Sequence, residues 1–145
     1  KPVVTIESTP VSVLPRDAKG EYVDPFHLTN WSAPKVKKYK VVAKNYMGMK
    51  PVSFEFMLIF SYGGKYGGKG VYLTGAQIKP TDVQVGWGYN LDANFQVQSV
   101  VNQGSAENPV AGAVLMIDYT IKTVLKESKH NRTFFVNGRG KTQAY

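Results

Sequence analysis

Apolar and polar residues alternate along most of this chain, with the period of a β-strand. Over residues 52–60, Val52, Phe54, Phe56, Leu58 and Phe60 share one face, and Ser53, Glu55, Met57 and Ile59 share the other. Successive side chains of a strand point to opposite faces, so this segment predicts a strand packed on a core, its second half buried on both sides. Over residues 113–125 the row Ala113, Leu115, Ile117, Tyr119, Ile121 and Leu125 faces inward, against Asp118, Thr120, Lys122 and Lys126. Over residues 83–89 the same logic aligns Val83, Val85, Trp87 and Tyr89, which assigns Trp87 to the core. Further strands are expected at 3–7, 36–44, 71–78, 95–101 and 132–136, each rich in β-branched or aromatic residues.

No window carries the 3.6-residue recurrence of an amphipathic helix over three turns. The expectation is therefore an all-β chain with little or no helix, folded as one antiparallel β-sandwich of jelly-roll or immunoglobulin-like type over residues 1–145. Turn chemistry punctuates it at 15–20, 46–51 and 104–109. Asn137-Gly138 follows the FFV run and predicts a type I′ turn, after which the last residues pair back. A small membrane β-barrel is the rival. The strand over 36–44 opposes it, with Lys37 on one face and Lys38, Lys40 and Lys44 on the other, so neither face offers lipid an uncharged band.

Composition narrows the chemistry. Of the 145 residues 43% are apolar and 19% charged, a globular balance, and no stretch approaches the roughly 20 apolar residues of a membrane-spanning helix. The absence of cysteine excludes disulfides, thiol nucleophiles and cysteine-ligated metal sites. The numbering opens at Lys1-Pro2 without methionine, which suggests a processed, exported chain in the periplasm, on the cell surface or secreted. The net charge of +8 is segregated: residues 35–50 hold six lysines and no acid, and residues 122–145 hold six basic residues and one acid.

The nearest approach to a catalytic motif is SYGGKYGGKG, residues 61–70, where Gly63, Gly68 and Lys69 have P-loop spacing. A P-loop also needs a Ser or Thr hydroxyl after the lysine, and a helix whose N-terminus receives the phosphate. Gly70 stands where the hydroxyl belongs, and the following VYLTGAQIKP reads as a strand. The stretch is expected to be a mobile loop between strands that presents Lys65, Tyr66 and Lys69 as recognition residues.

Asp24 and His27 in DPFH read as a turn carboxylate beside a loop histidine, since no metal-ligand set accompanies them. In WGYNLDAN, residues 87–94, an aromatic platform for a sugar competes with a core-and-turn reading, and the latter is preferred. Trp31, in TNWSAP, is either an exposed aromatic contact or a plug over one end of the sandwich. Asn30 and Asn131 open glycosylation sequons, meaningful only in a eukaryotic secretory protein.

By alternation Lys38, Lys40 and Lys44 share a face, as do Lys122 and Lys126. In one sheet they would form a stripe that attracts nucleic acid, anionic lipid headgroups or acidic polysaccharide, extended by Lys65 and Lys69. Alternatively they are solvated lysines that deter edge-to-edge pairing. Neither a catalytic constellation nor a cofactor site emerges. The expected function is a non-catalytic binding module that contacts a protein or polysaccharide partner through its Gly-rich loop and lysine-bearing surface. A self-associating subunit of a fibre, shell or secretion assembly, with the 3–7 strand available to a neighbour's sheet, is one alternative; a polyanion-binding domain is the other.

Overall fold

The structure, a computed structural model, describes residues 2–44 and 47–145. The Tyr46 end of the turn expected at 46–51 lies outside the described residues. Among the described residues nine strands follow in chain order: β1 (Val3–Glu7), β2 (Val11–Val13), β3 (Lys35–Ala43), β4 (Val52–Tyr66), β5 (Lys69–Val85), β6 (Asn90–Asn102), β7 (Ala111–Lys122), β8 (Glu127–Asn137) and β9 (Thr142–Ala144). A 3-10 turn, Pro25–His27, interrupts the β2–β3 connection.

The strands form two open sheets, ordered β1-β6-β7-β8-β9 and β2-β5-β4-β3, that pack face to face as an all-β sandwich. Each sheet is built around a run of hairpins, β3-β4-β5 and β6-β7-β8-β9, and all pairings are antiparallel except β1 with β6. The alternation read from sequence accounts for the core. Val52, Phe54, Phe56, Leu58 and Phe60 of β4 meet Ala113, Leu115 and Ile117 of β7 and Phe134 and Val136 of β8, all buried. An aromatic seam stitches the layers: Tyr39 of β3 lies 4.8 Å from Phe134 and 5.5 Å from Phe56, and Phe54 sits edge-on to Tyr119 at 5.5 Å between centroids. Such pairs add about 0.5–1.5 kcal/mol each beyond the area they bury.

The outer face of β4 is half-buried, where the sequence suggested full burial of its second half. Met57 lies between Lys38 and Lys79 in the register, and Ile59 between Val36 and Gln77. Long side chains on neighbouring strands can shield such residues while keeping their polar ends in water.

Turn chemistry sets the two ends of the sandwich. The Gly-rich stretch is not a loop: β4 runs to Tyr66 and β5 begins at Lys69, so only Gly67 and Gly68 turn, at φ +60° and +73°. Two residues with positive φ are what a type I′ hairpin requires, and glycine supplies them without steric cost. Asn137-Gly138 does not form such a turn, although β9 pairs back on β8 as expected. The positive φ falls at Gly140, and buried Asn137 organises the turn instead, its Oδ1 accepting the amides of Arg139 and Lys141 at 3.0 Å each. Gly138 is required for another reason, since a Cβ there would run into the Val71 backbone carbonyl. The Val71 amide donates to the Pro109 carbonyl and the Gly138 amide to the Ala111 carbonyl, closing this end of the sandwich.

Candidate functional site

The opposite end is open. There the β3–β4 connection, the β5–β6 turn and the β7–β8 turn surround a cleft of about 700 Å³, lined among others by Lys44, Met47, Tyr89, Leu125, Lys126 and His130.

Local chemistry pushes apolar side chains outward at this end. Alternation stops at Val85, where β5 ends, and Gly86 to Tyr89 form a turn closed by the Tyr89 amide on the Gly86 carbonyl, 3.2 Å, with Gly88 at φ +79°. A positive φ at the third turn residue leaves the second, Trp87, at the apex. Trp87 is 80% exposed, which overturns its assignment to the core, whereas Tyr89 turns back and packs on the core. The Gly86 amide donates to the Pro51 carbonyl at 2.7 Å and ties this turn to the β3–β4 connection.

β7 likewise ends at Lys122, not beyond Leu125. Thr123 reverses the chain: its amide donates to the Lys126 carbonyl at 2.7 Å, and its Oγ1 accepts the amides of Leu125 (3.3 Å) and Lys126 (3.0 Å). A hydroxyl bonded to amides ahead of it holds a tight turn. The turn leaves Val124 at 96% and Leu125 at 95% exposure, so Leu125 does not continue the inward row. Met47 and Met49, exposed by 69% and 62%, add two further apolar groups. Lys44, Lys50 and Lys126 stand among them, exposed, and these three segments contain no carboxylate among the described residues.

The predicted lysine stripe does not form, because β3 and β7 belong to different sheets. Lys38 and Lys40 lie on the outer face of the β3 sheet, where Lys40 is in register with Glu55, which has Asp82 on its other side. Lys122 lies on the outer face of the other sheet, 3.6 Å from Glu127, beside a shallow depression of about 380 Å³ that Thr5, Asp92 and Lys129 also line. Lys126 falls after the strand has ended and shares no face with Lys122. Of the lysines from the two separate basic segments, Lys44 and Lys126 both line the cleft. β3 is an edge strand with lysines at 35, 37, 38 and 40, the placement by which natural sheets deter edge pairing.

Lys65, Tyr66 and Lys69 lie at the far end of the molecule, up to roughly 45 Å from the cleft along β4 at about 3.3 Å per residue. They cannot extend a surface that includes Lys44 and Lys126. Lys65 exchanges backbone hydrogen bonds with Thr29, while Tyr66 and Lys69 flank the hairpin tip. Trp31 is half-buried: its indole lies on Gly64, and Nε1 donates to the Pro25 carbonyl at 2.8 Å. Asp24 caps the 3-10 turn by accepting the Phe26 amide at 2.9 Å, and no cluster of three metal-ligating side chains occurs among the described residues. His130 stacks on Tyr119 at 5.0 Å between centroids. Burial raises the Tyr119 pKa above its ordinary value, an effect that the Arg132 guanidinium partly offsets, and the same holds for Tyr39.

Met47, Met49 and Val124 were not singled out by the sequence, and Lys50 entered only as one of the six lysines over residues 35–50. The available signal was local: a tryptophan between two glycines (GWG), and apolar pairs set inside turn segments (MGM, TVLK). The chain matches no protein-family model, and no related protein is found among curated sequences or solved structures.

Proposed function

We propose that this protein is a non-catalytic binding module that docks onto an anionic lipid surface through the open end of its sandwich. The observation that carries the reading is the company kept by Trp87, Val124, Leu125, Met47 and Met49: exposed on three adjoining segments, with Lys44, Lys50 and Lys126 and no acid. An anionic polymer would use the lysines alone, leaving Val124 and Leu125 in water. A bilayer interface uses both sets, taking apolar tips into the acyl boundary, tryptophan at headgroup level and lysines against phosphate. Each lysine near such a surface contributes about 1 kcal/mol, and each fully buried Val or Leu about 1.5–3 kcal/mol. This is peripheral docking, and no helix among the described residues is long and apolar enough to cross a membrane. We take the chain to be exported, which fractionation of the producing cell tests.

The deciding experiment is co-sedimentation with phosphatidylserine-containing and pure phosphatidylcholine vesicles, with duplex DNA and heparin as polymer controls. The wild-type chain is expected to bind the anionic vesicles and to lose at least tenfold in affinity both in Val124→Ser/Leu125→Ser and in Lys44→Ser/Lys50→Ser/Lys126→Ser. Equal binding to DNA or heparin that survives the apolar double substitution would replace the lipid with a polyanionic polymer. Absence of vesicle binding would end the reading and return protein and neutral polysaccharide partners to the front.

A further inference from the structure

We infer that β6 carries a second interaction surface, an open strand edge over residues 95–102 that pairs with the same edge of a second copy of the chain. β6 is 13 residues long, but β1 covers only Asn90 to Asn94 on the side away from β7. After Glu7 the chain crosses to the other sheet as β2, leaving residues 95–102 without a strand partner on that side among the described residues. Unpaired amides and carbonyls along an edge are a template for a further strand.

Three other uncovered edges are guarded, while β1, β2 and β9 present only short edges of three to five residues. β3 carries four lysines; the part of β5 that β2 leaves uncovered carries Lys79, Pro80 and Asp82; the part of β8 before β9 carries Glu127, Lys129 and Arg132. β6 has no such device. From Ala93 to Ala106 there is no charged residue at all, and Val97, Val100 and Val101 are 38%, 54% and 40% exposed. Its one protection is a bulge between Val97 and Ser99.

Charge selects the occupant. Two copies of a chain with net charge +8 repel over most of their surfaces, and pairing of two β3 edges would set lysines against lysines. The uncharged β6 edge escapes this. It is also self-complementary, because an antiparallel pair of identical strands satisfies a two-fold axis. The valines would then gain cross-strand neighbours, and the five-stranded sheet would continue across the dimer, on the same side of β6 that already accepts β1.

The test combines sedimentation with amide hydrogen exchange, each over a range of protein concentrations. The wild-type chain is expected to dimerise with rising concentration and to gain protection at residues 95–102. Val100→Lys, or Ser99→Lys at a position that is already polar, should hold it monomeric with an unchanged unfolding midpoint. Three results would overturn the inference: a monomer at every concentration, a dimer that survives both substitutions, or protection gained at the lysine-bearing β3 edge instead. The vesicle experiment concerns the other surface, so each proposal can fail without the other.

Discussion

Gly64 offers the most direct check on how the Gly-rich stretch works. Its φ is not in the left-handed region, so alanine carries no backbone strain there. On backbone grounds alone a Gly→Ala change at such a site stabilises by about 0.4–1 kcal/mol through the unfolded chain. The added Cβ, however, would lie 2.6 Å from Cε2 of Trp31, well inside van der Waals contact. The indole must therefore lift away. Its Nε1 then loses the Pro25 carbonyl, costing about 0.5–1.5 kcal/mol, and forced overpacking typically adds about 1–3 kcal/mol. We expect Gly64→Ala to destabilise by about 0.5–4 kcal/mol in urea unfolding followed by circular dichroism, after the backbone gain is set against these losses. In a Trp31→Ala background the same substitution should become neutral or stabilising by up to about 1 kcal/mol, so that the double-mutant cycle returns nearly the whole penalty as coupling between the two sites. An unchanged penalty without the indole would refute the argument and point to the strand itself as the origin of the glycine requirement.

Two further expectations follow from buried groups. Asn137→Ala removes the acceptor for the amides of Arg139 and Lys141 and the donor to Gln103 Oε1, and should cost about 2–4 kcal/mol in chemical denaturation while freeing β9 to exchange its amides first. Tyr39 and Tyr119 hold their protons above the ordinary tyrosine range because burial disfavours the phenolate, with Arg132 opposing in part. Between the unfolded and folded pKa the unfolded chain binds fewer protons, so this contribution is intact below about pH 10 and is lost as pH rises through the folded value. The double variant Tyr39→Phe/Tyr119→Phe should accordingly lose less stability than the wild type between neutral and strongly alkaline pH, measured as the shift in urea midpoint; equal slopes would contradict the assignment.

The alternation of apolar residues determined a good deal by itself. Period-2 rows over 52–60 and 113–121 are local facts of the chain, and both became core faces because a strand's geometry leaves its side chains no other arrangement. That the lysines of the 36–44 strand stand in solvent was legible for the same reason, as one of two readings, whereas the edge position of that strand was not. What the sequence could not supply was where a strand stops and which strands are neighbours. Trp87 and Leu125 continue the inward parity of their rows, yet Gly88 and Thr123 turn the chain just before or beside them, and one turn is enough to send a side chain from core to solvent. The lysine stripe failed on adjacency: β3 and β7 fall in different sheets because the chain changes sheet at the Gly86 to Tyr89 turn. Parity and propensity are properties of neighbours along the chain, whereas a surface is made by residues distant in sequence. The gathering of Lys44, Trp87 and Leu125 at one open end, and of uncharged residues along one uncovered edge, was therefore decided only by the tertiary structure.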